Sequence, residues 1–287
     1  IVKLATLAPE GTAWHGMLID MGQEWKKASK KSVQLRIYPG GVIGDERDMV
    51  RKMRIGQIHA AAITTEGLSE IVPDFSAYFV PLAFQNSKDI DDVTEVLLPS
   101  LEQKLEENGF ILLHLGELGW VYWFASKPIK TPMDLKTMKI FTWAGDFKWE
   151  RLWEKAGYNP VPLASVDILS GLQTGLINSF STIPLYALSQ QSFGIANHML
   201  DLKWGVLMAG IVVDKRVWKR ISKKYHEDLI KITKLIQSKQ QNLNVTAEKE
   251  SINAMKDYGL KVHSIGKDEI EIWEKEVEKM APELRGN

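Results

Sequence analysis

The sequence predicts an α/β protein built as two lobes. Three observations carry that prediction. Strand and helix patterns alternate along the chain, a Pro-containing break at 128–132 separates two such series, and the stretch from Ile221 to Tyr258 holds neither Gly nor Pro. Alternation of this kind calls for a mostly parallel sheet covered by helices. A continuous helix over the last stretch would run about 55 Å at 1.5 Å per residue. That is longer than one small lobe needs, so it is expected to lie across both lobes, with a break near Asn242 as the alternative. The 287 residues suit two domains or one large one.

The elements follow in order. Residues 1–7 alternate as a short strand, ended by the turn Ala8-Pro9-Glu10-Gly11. Thr12 can cap a helix whose apolar residues Trp14, Met17, Leu18, Met21, Trp25 and Ala28 recur at helical spacing. Val33–Tyr38 reads as a second strand, stopped by Pro39-Gly40-Gly41. Asp45 and Glu46 open a helix to about Ile58, acidic where the helix dipole favours it. Ala60–Ile63 is a small-residue strand. A helix from Ile90 to Asn108 ends at Gly109 and feeds a strand at Phe110–Leu115. After Gly116 an aromatic strand runs from Trp120 to Ala125, and 127–132 reads as a linker. The second series has strands at Met138–Trp143, Pro160–Leu163 and about Gly175–Ser181, with helices at Phe147–Ala156 and Asp167–Thr174. Trp204–Asp214 reads as the strand that crosses back, and Ile270–Met280 as a C-terminal helix packed on one lobe.

Composition excludes several classes of function. With 36 basic and 36 acidic residues there is no basic footprint for nucleic acid. The absence of Cys removes disulfides, thiol catalysis and thiolate metal sites. No apolar run approaches the ~20 residues of a membrane-spanning helix. The first residues read as a strand and not as a signal peptide, so an export signal, and any lipid-bearing Cys, would precede residue 1.

Chemistry-bearing motifs are missing. There is no G-x-S-x-G elbow, H-E-x-x-H, Walker loop or G-x-G-x-x-G. Gly40-Gly41-Val42-Ile43-Gly44 precedes a helix, but the Lys-Ser/Thr of a phosphate loop is missing and Asp45-Glu46 would repel phosphate. The six His are scattered without ligand spacing, so no metal is expected. Asp146, Glu150 and Asp167 could serve as acid/base groups, yet no nucleophile–base pair accompanies them. Neither an enzyme nor a cofactor is expected.

The chain carries ten Trp. Trp25, Trp218 and Trp273, with the pair Trp149 and Trp153, lie on helical faces and are assigned to packing. Trp14, Trp120, Trp143 and Trp204 stand at a helix start, strand ends or a crossing segment, where open α/β lobes bind ligands.

A series of motifs then coincides at one spacing. It comprises Leu7–His15, Tyr38–Glu46, Arg54-Ile55-Gly56, Ile71–Phe75, Pro81–Phe84, Pro132–Lys136, Gly157–Pro162 and Leu172–Gly175. The series resembles the DctP-like substrate-binding subunits of tripartite ATP-independent periplasmic (TRAP) transporters over nearly the whole chain. The resemblance implies a periplasmic-binding-protein fold with a hinge, lobe I comprising 1–121 and 206–250 and lobe II comprising 122–205 and 251–287. It also implies a monomeric periplasmic receptor that hands a small molecule to membrane permease subunits driven by an ion gradient.

The departures from the family pattern bear on the ligand. Where the resemblance places a carboxylate-binding Arg, the strand reads Lys139-Ile140-Phe141-Thr142, and a second Arg position falls at Val121. Thr182 stands near the usual Asn, and Asp167 at the Glu after the Pro-x-Pro strand. Burying a carboxylate without a bidentate guanidinium leaves its desolvation uncompensated. The sequence therefore points to an atypical branch with a hydrophobic pocket for an apolar or neutral solute, aromatic ones included. The expected lining is Trp14, Thr64, Trp120, Phe141, Trp143, Thr182, Tyr186 and Trp204. Two alternatives stay open: a quaternary ammonium in an aromatic cage with Asp146 or Glu66 as counter-charge, or a small carboxylate held by another cation such as Arg151 or Lys148.

Overall fold

The computed structural model describes the backbone of residues 1–284 and their side chains except at 240–243, 245 and 284. Residues 285–287, assigned above to lobe II, lie outside the described residues. The chain forms two compact units. The first comprises Ile1–Phe79, Asn86–Leu118 and Leu207–Val245, and the second Val80–Gln85, Gly119–Val206 and Thr246–Asn287.

The first unit begins with β1 (Val2–Thr6), α1 (Ala13–Ala28), β2 (Leu35–Tyr38), α2 (Glu46–Arg54), β3 (Ala60–Thr64) and α3 (Thr65–Ser69). After a 3-10 turn at Pro73–Phe79 come α4 (Ser87–Glu107) and the long strand β4 (Phe110–Ala125). β1 lies parallel between β2 and β3, with Leu4 opposite both Ile37 and Ala60. Thr12 caps α1, and one stripe of that helix (Trp14, Leu18, Met21, Trp25) is buried, as the spacing predicts. α2 stops at Arg54, short of Ile58, because Gly56 turns the chain at φ 75°.

The second unit continues with α5 (Pro132–Lys136), β5 (Lys139–Trp143), α6 (Phe147–Lys155), β6 (Asn159–Leu163), α7 (Ile168–Gln173), β7 (Ser179–Thr182), α8 (Pro184–Ser189) and β8 (His198–Leu200). β7 stands antiparallel to β4 and parallel to β5, which pairs in parallel with β6. β9 (Gly205–Asp214) then returns to the first unit, where it pairs antiparallel with β3. α9 (Lys215–Arg220), α10 (His226–Asp257), β10 (Lys261–His263) and α11 (Lys267–Leu284) complete the chain. β10 pairs in parallel with β8, and α11 docks in the second unit, Trp273 donating from Nε1 to the Lys130 carbonyl at 2.9 Å.

Two further differences from the sequence expectation concern β4 and α10. The predicted strands on either side of Gly116 are one strand of 16 residues. Glycine punctuation suggested a turn, but neighbours line both edges of β4, β9 in the first unit and β7 and β8 in the second, and the ladder carries the strand through. The long helix starts at His226 and not at Ile221, because Ile221 and Ser222 are extended (ψ 135° and 128°) and a 3-10 turn intervenes. From there α10 runs 32 residues through Asn242 without a break, about 48 Å, contributing residues to Val245 to the first unit and from Thr246 to the second.

The two cores are distinct. In the first, Leu18, Met21 and Trp25 of α1 pack with Val2, Leu4, Leu113, Ile211, Val213, Trp218 and Leu229. Trp25 donates to the Leu229 carbonyl and to Thr233 Oγ1, both at 3.1 Å, which ties α10 to α1. The second core is a tryptophan cluster in which Trp204 meets Trp123, Trp153 and Trp273 at centroid distances of 5.8, 6.1 and 5.4 Å.

Candidate functional site

In the second unit, strand register decides which predicted residues share a surface. Side chains alternate across a sheet, and residues paired in register point the same way. β4–β7 pairing sets Tyr122 beside Thr182 and Phe124 beside Phe180. β5–β6 pairing sets Phe141 beside Val161 and Trp143 beside Leu163. Ile140 pairs with Ser179, so continued register brings Phe141 level with Phe180 and Trp143 level with Thr182. One face of this sheet therefore carries two rows, Phe124–Phe180–Phe141–Val161 and Tyr122–Thr182–Trp143–Leu163, with Trp120 next along β4.

Both rows are largely buried, and their half-buried members are Val161, Trp143 and Leu163. Phe124 and Phe180 stack at 5.4 Å, and Phe141 meets Trp143 edge-on at 5.3 Å. Phe141 is 5% exposed, whereas Trp143 and Leu163 are half-buried. Trp143 and Thr182 stand at the C-terminal ends of parallel strands, the end at which open α/β sheets receive ligands. No residue in the two rows carries a charge. Tyr186 sits in α8, directly after Thr182 in the chain, and is half-buried.

The hydrogen-bonding groups of this face are unequally occupied. Tyr122 donates its hydroxyl to Glu248 of α10 at 3.0 Å, and burial beside that carboxyl pushes the phenol well above its ordinary range. Burial likewise raises Glu248. The indole Nε1 of Trp143 is buried and meets no acceptor among the described residues. Lys203, which sequence reasoning passed over, lays its ammonium 4.3 Å from the Trp120 ring centroid. Its signal in the sequence is its place beside Trp204.

Trp204 occupies the other layer. Its rings of contact include Trp123 and it packs in the cluster that holds Ile140, so it lies opposite the face of Phe141 and Trp143. Its backbone N–H donates to the Val121 carbonyl and its carbonyl accepts from Leu82 N–H, both at 2.9 Å.

Trp14 and Thr64 belong to the first unit. Trp14 is 5% exposed in the first turn of α1, and its Nε1 also has no acceptor among the described residues. Thr64 ends β3 and is tied to Glu46, donating from its N–H to Oε1 at 2.8 Å and from Oγ1 to Oε2 at 2.7 Å. The same hydroxyl accepts from Glu66 N–H at 3.2 Å, capping α3. Gly67 N–H adds a third bond to Glu46 at 2.9 Å. Burial outweighs these bonds and pushes the Glu46 carboxyl up to about 7. A Cβ at Gly67 would lie 2.9 Å from Glu46 Oε2. The sequence suggests Glu46 as a dipole-favoured helix opener, and the structure buries its carboxyl. Its spacing to Met49, Val50 and Met53 already marks the buried stripe.

The alternative charges are largely engaged or turned outward. Glu66 is 2% exposed and paired with Arg47 at 3.0 Å. Asp146 caps α6, accepting from Trp149 N–H at 3.1 Å. Arg151, Lys148 and Asp167 are exposed. Among the described residues no group of three or more His, Asp or Glu could hold a metal ion, and no helix is long and apolar enough to cross a membrane.

Comparison with known proteins places this geometry. Residues 4–285 match the family model for bacterial extracellular solute-binding protein family 7, DctP. A solute-binding protein of Roseobacter denitrificans is 25% identical over 182 residues, 62% of this chain and 54% of the relative. The 2,3-diketo-L-gulonate-binding periplasmic protein YiaO of Escherichia coli is 23% identical over 242 residues, 83% of this chain and 73% of the relative. The chain thus spans about half of the first relative and about three-quarters of the second. A TRAP periplasmic solute-binding protein from Xanthobacter autotrophicus, crystallised with β-D-galacturonate, superposes with a TM-score of 0.92 at 17% identity, covering 100% of this chain and 95% of that one. At that identity the likeness shows the fold.

Proposed function

The chain belongs to the DctP family of bacterial extracellular solute-binding proteins, a family of binding proteins and not of enzymes, and from that premise we propose that it is the periplasmic receptor of a TRAP transporter for a neutral, largely apolar solute. As a monomer and without a cofactor, it delivers that solute to the membrane permease subunits. The observation that carries the reading is the charge-free aromatic face built by Phe141, Trp143, Phe180 and Thr182. Phe141 occupies the position at which the resemblance sets a carboxylate-binding Arg.

Relatives named for acids, such as the diketo-gulonate and galacturonate binders, set the opposing expectation. A carboxylate laid against this face would give up its hydration without a guanidinium to replace it, a cost of several kcal/mol. Apolar contact works the other way. About 100 Å² of solute surface covered by the rings contributes about 2.5 kcal/mol. Trp120, Phe141, Trp143, Thr182 and Tyr186 of the second unit are proposed to bind the solute; Trp14 and Thr64 of the first unit are proposed as ligand-binding residues of that unit. Trp204 supports the sheet from its other layer.

One observation favours a second reading. The ammonium of Lys203 beside Trp120 is a cation at the margin of the same face, and it could hold an acid in place of the missing Arg. Calorimetry with galacturonate and 2,3-diketo-L-gulonate separates the two. The proposal expects no saturable heat from either acid below millimolar concentration. Tight binding of either, abolished by Lys203→Met, would establish the second reading instead.

A further inference from the structure

The chain's balanced charge hides an uneven distribution within the first unit. Residues 26–31 and 215–224 hold ten of the 36 basic residues and none of the 36 acidic ones, so the remainder carries 26 basic against 36 acidic residues. Both stretches belong to the first unit. They are far apart in sequence but meet in the fold. Trp25, next to Lys26 at the end of α1, has its ring centroid 6.1 Å from that of Trp218, next to Lys219 in α9. Trp218 in turn lies 4.5 Å from His226, which opens α10. One tryptophan pair thus holds the two basic stretches together.

Most of these cations have no counter-charge. Lys27 pairs with Glu24, Lys215 with Glu106 and Arg216 with Asp214. Lys26, Lys30 and Lys31 are exposed and form no ion pair among the described residues. The same holds for Lys219, Arg220, Lys223 and Lys224. Glu227, the next acid along the chain, pairs with Lys231 at 2.7 Å. Like charges gathered on one face repel one another and destabilise the free protein. Lys30 and Lys31 add a backbone cost, at φ 51° and 68°, in the left-handed region that suits Gly. The face is therefore built for an anionic partner.

We infer that this basic face docks the receptor on the anionic lipid headgroups of a membrane surface. Its composition selects that partner. Protein interfaces are depleted in Lys and centred on aromatic, Met and Arg anchors. Here six of the seven unpaired cations are Lys, and neither stretch exposes a large apolar side chain. Readers of duplex nucleic acid fix base edges with the Arg fork, and Arg220 is the one unpaired Arg in the two stretches. Headgroup phosphates in a fluid layer demand no fixed geometry, which suits point charges on flexible stems. Each Lys or Arg brought to such a surface strengthens association by about fivefold, and salt screens the attraction within about 8–10 Å. The inference goes beyond the solute reading and holds for a receptor of any solute.

Co-sedimentation of the full chain with vesicles tests it. One set is phosphatidylcholine alone, and the other mixes one part phosphatidylglycerol with three parts phosphatidylcholine. The protein is expected on the anionic vesicles and not on the neutral ones, with binding falling by about tenfold between about 25 and 150 mM salt. Lys219→Gln, Arg220→Gln, Lys223→Gln and Lys224→Gln combined in one chain should weaken association by at least about tenfold. Lys127→Gln, Lys249→Gln, Lys256→Gln and Lys267→Gln make the same change of net charge at exposed positions of the second unit. That control should stay within about twofold of the parent. Thermal unfolding checks that both variants keep the fold.

No binding to either vesicle, equal binding to both, a patch variant that binds as the parent does, or a control that loses as much would overturn the inference. Binding to polyglutamate or to a short DNA duplex at the higher salt, with none to vesicles, would assign the face to a soluble polyanion and overturn the lipid reading. The solute reading rests on the second unit and is judged separately by the calorimetry above.

Discussion

Replacing Phe141 by Arg restores the residue type that the family resemblance sets at this position, and it should cost stability before it changes binding. The Phe141 ring is 95% buried and lies edge-on against Trp143. A buried Phe side chain is worth about 1.5–3 kcal/mol relative to an exposed one. The arginine methylenes recover part of that contact, at about 0.8 kcal/mol per buried CH2. The guanidinium is the larger concern, because its neighbours in the two rows are Phe180, Val161 and Trp143, none of which carries charge. An unpaired buried charge costs about 3–5 kcal/mol, so Phe141→Arg should destabilise the protein by about 3–5 kcal/mol unless the side chain escapes to solvent. Urea unfolding of both proteins, with and without galacturonate, reads this directly. The variant should unfold at clearly lower urea, and a bound acid should restore part of the loss, about 2.7 kcal/mol at a hundred times its dissociation constant. A variant as stable as the parent without any acid would refute the reasoning, because the face would then already offer the guanidinium a partner.

Other perturbations test the electrostatics of each unit. Glu46 is held up to about 7 against an ordinary carboxyl of 4.5, so its contribution to stability is present below pH 4.5 and is lost as pH rises through 7, amounting to about 3 kcal/mol at 1.36 kcal/mol per unit. Glu46→Gln should remove that slope from a pH series of urea midpoints, and parallel profiles for the two proteins would count against it. His114 has the opposite sign: burial and the Lys234 charge hold it at about 4, so stability is lost as pH falls from 6.5 towards 4, and His114→Gln should flatten that limb. Gly67→Ala sets a Cβ against the Glu46 carboxylate and should lower the thermal midpoint by an amount matching about 1–3 kcal/mol, the range for a disrupted buried hydrogen bond.

Much of the fold was legible because it rests on local signals. Thr12, Asp45 and the 3–4 spacing of α1 name helix starts and buried stripes directly. The continuity of β4 through Gly116 was not legible, since it depends on strands that pair with it from distant parts of the chain. The site was partly legible for the same reason. Trp143 could be singled out from strand position and Phe141 from the family resemblance, but their common face with Thr182 follows from parallel register, which no local pattern reveals. The two layers of the second unit explain the placement of Trp204. Its sequence position, just before a crossing strand, is compatible with either layer, and only the packing against Trp123, Trp153 and Trp273 distinguishes them. Glu46 shows a signal present but misread: helical spacing set it with Met49 and Met53, while its acidity suggested an exposed first turn.

The central claim is that the solute is neutral. Native mass spectrometry of the protein, purified gently from cells grown on complex medium, reads the bound molecule without a choice of probe. The account predicts a copurifying small molecule whose dissociated mass and ion mode identify a neutral, largely apolar compound. A sugar acid or dicarboxylate bound at full occupancy would contradict it.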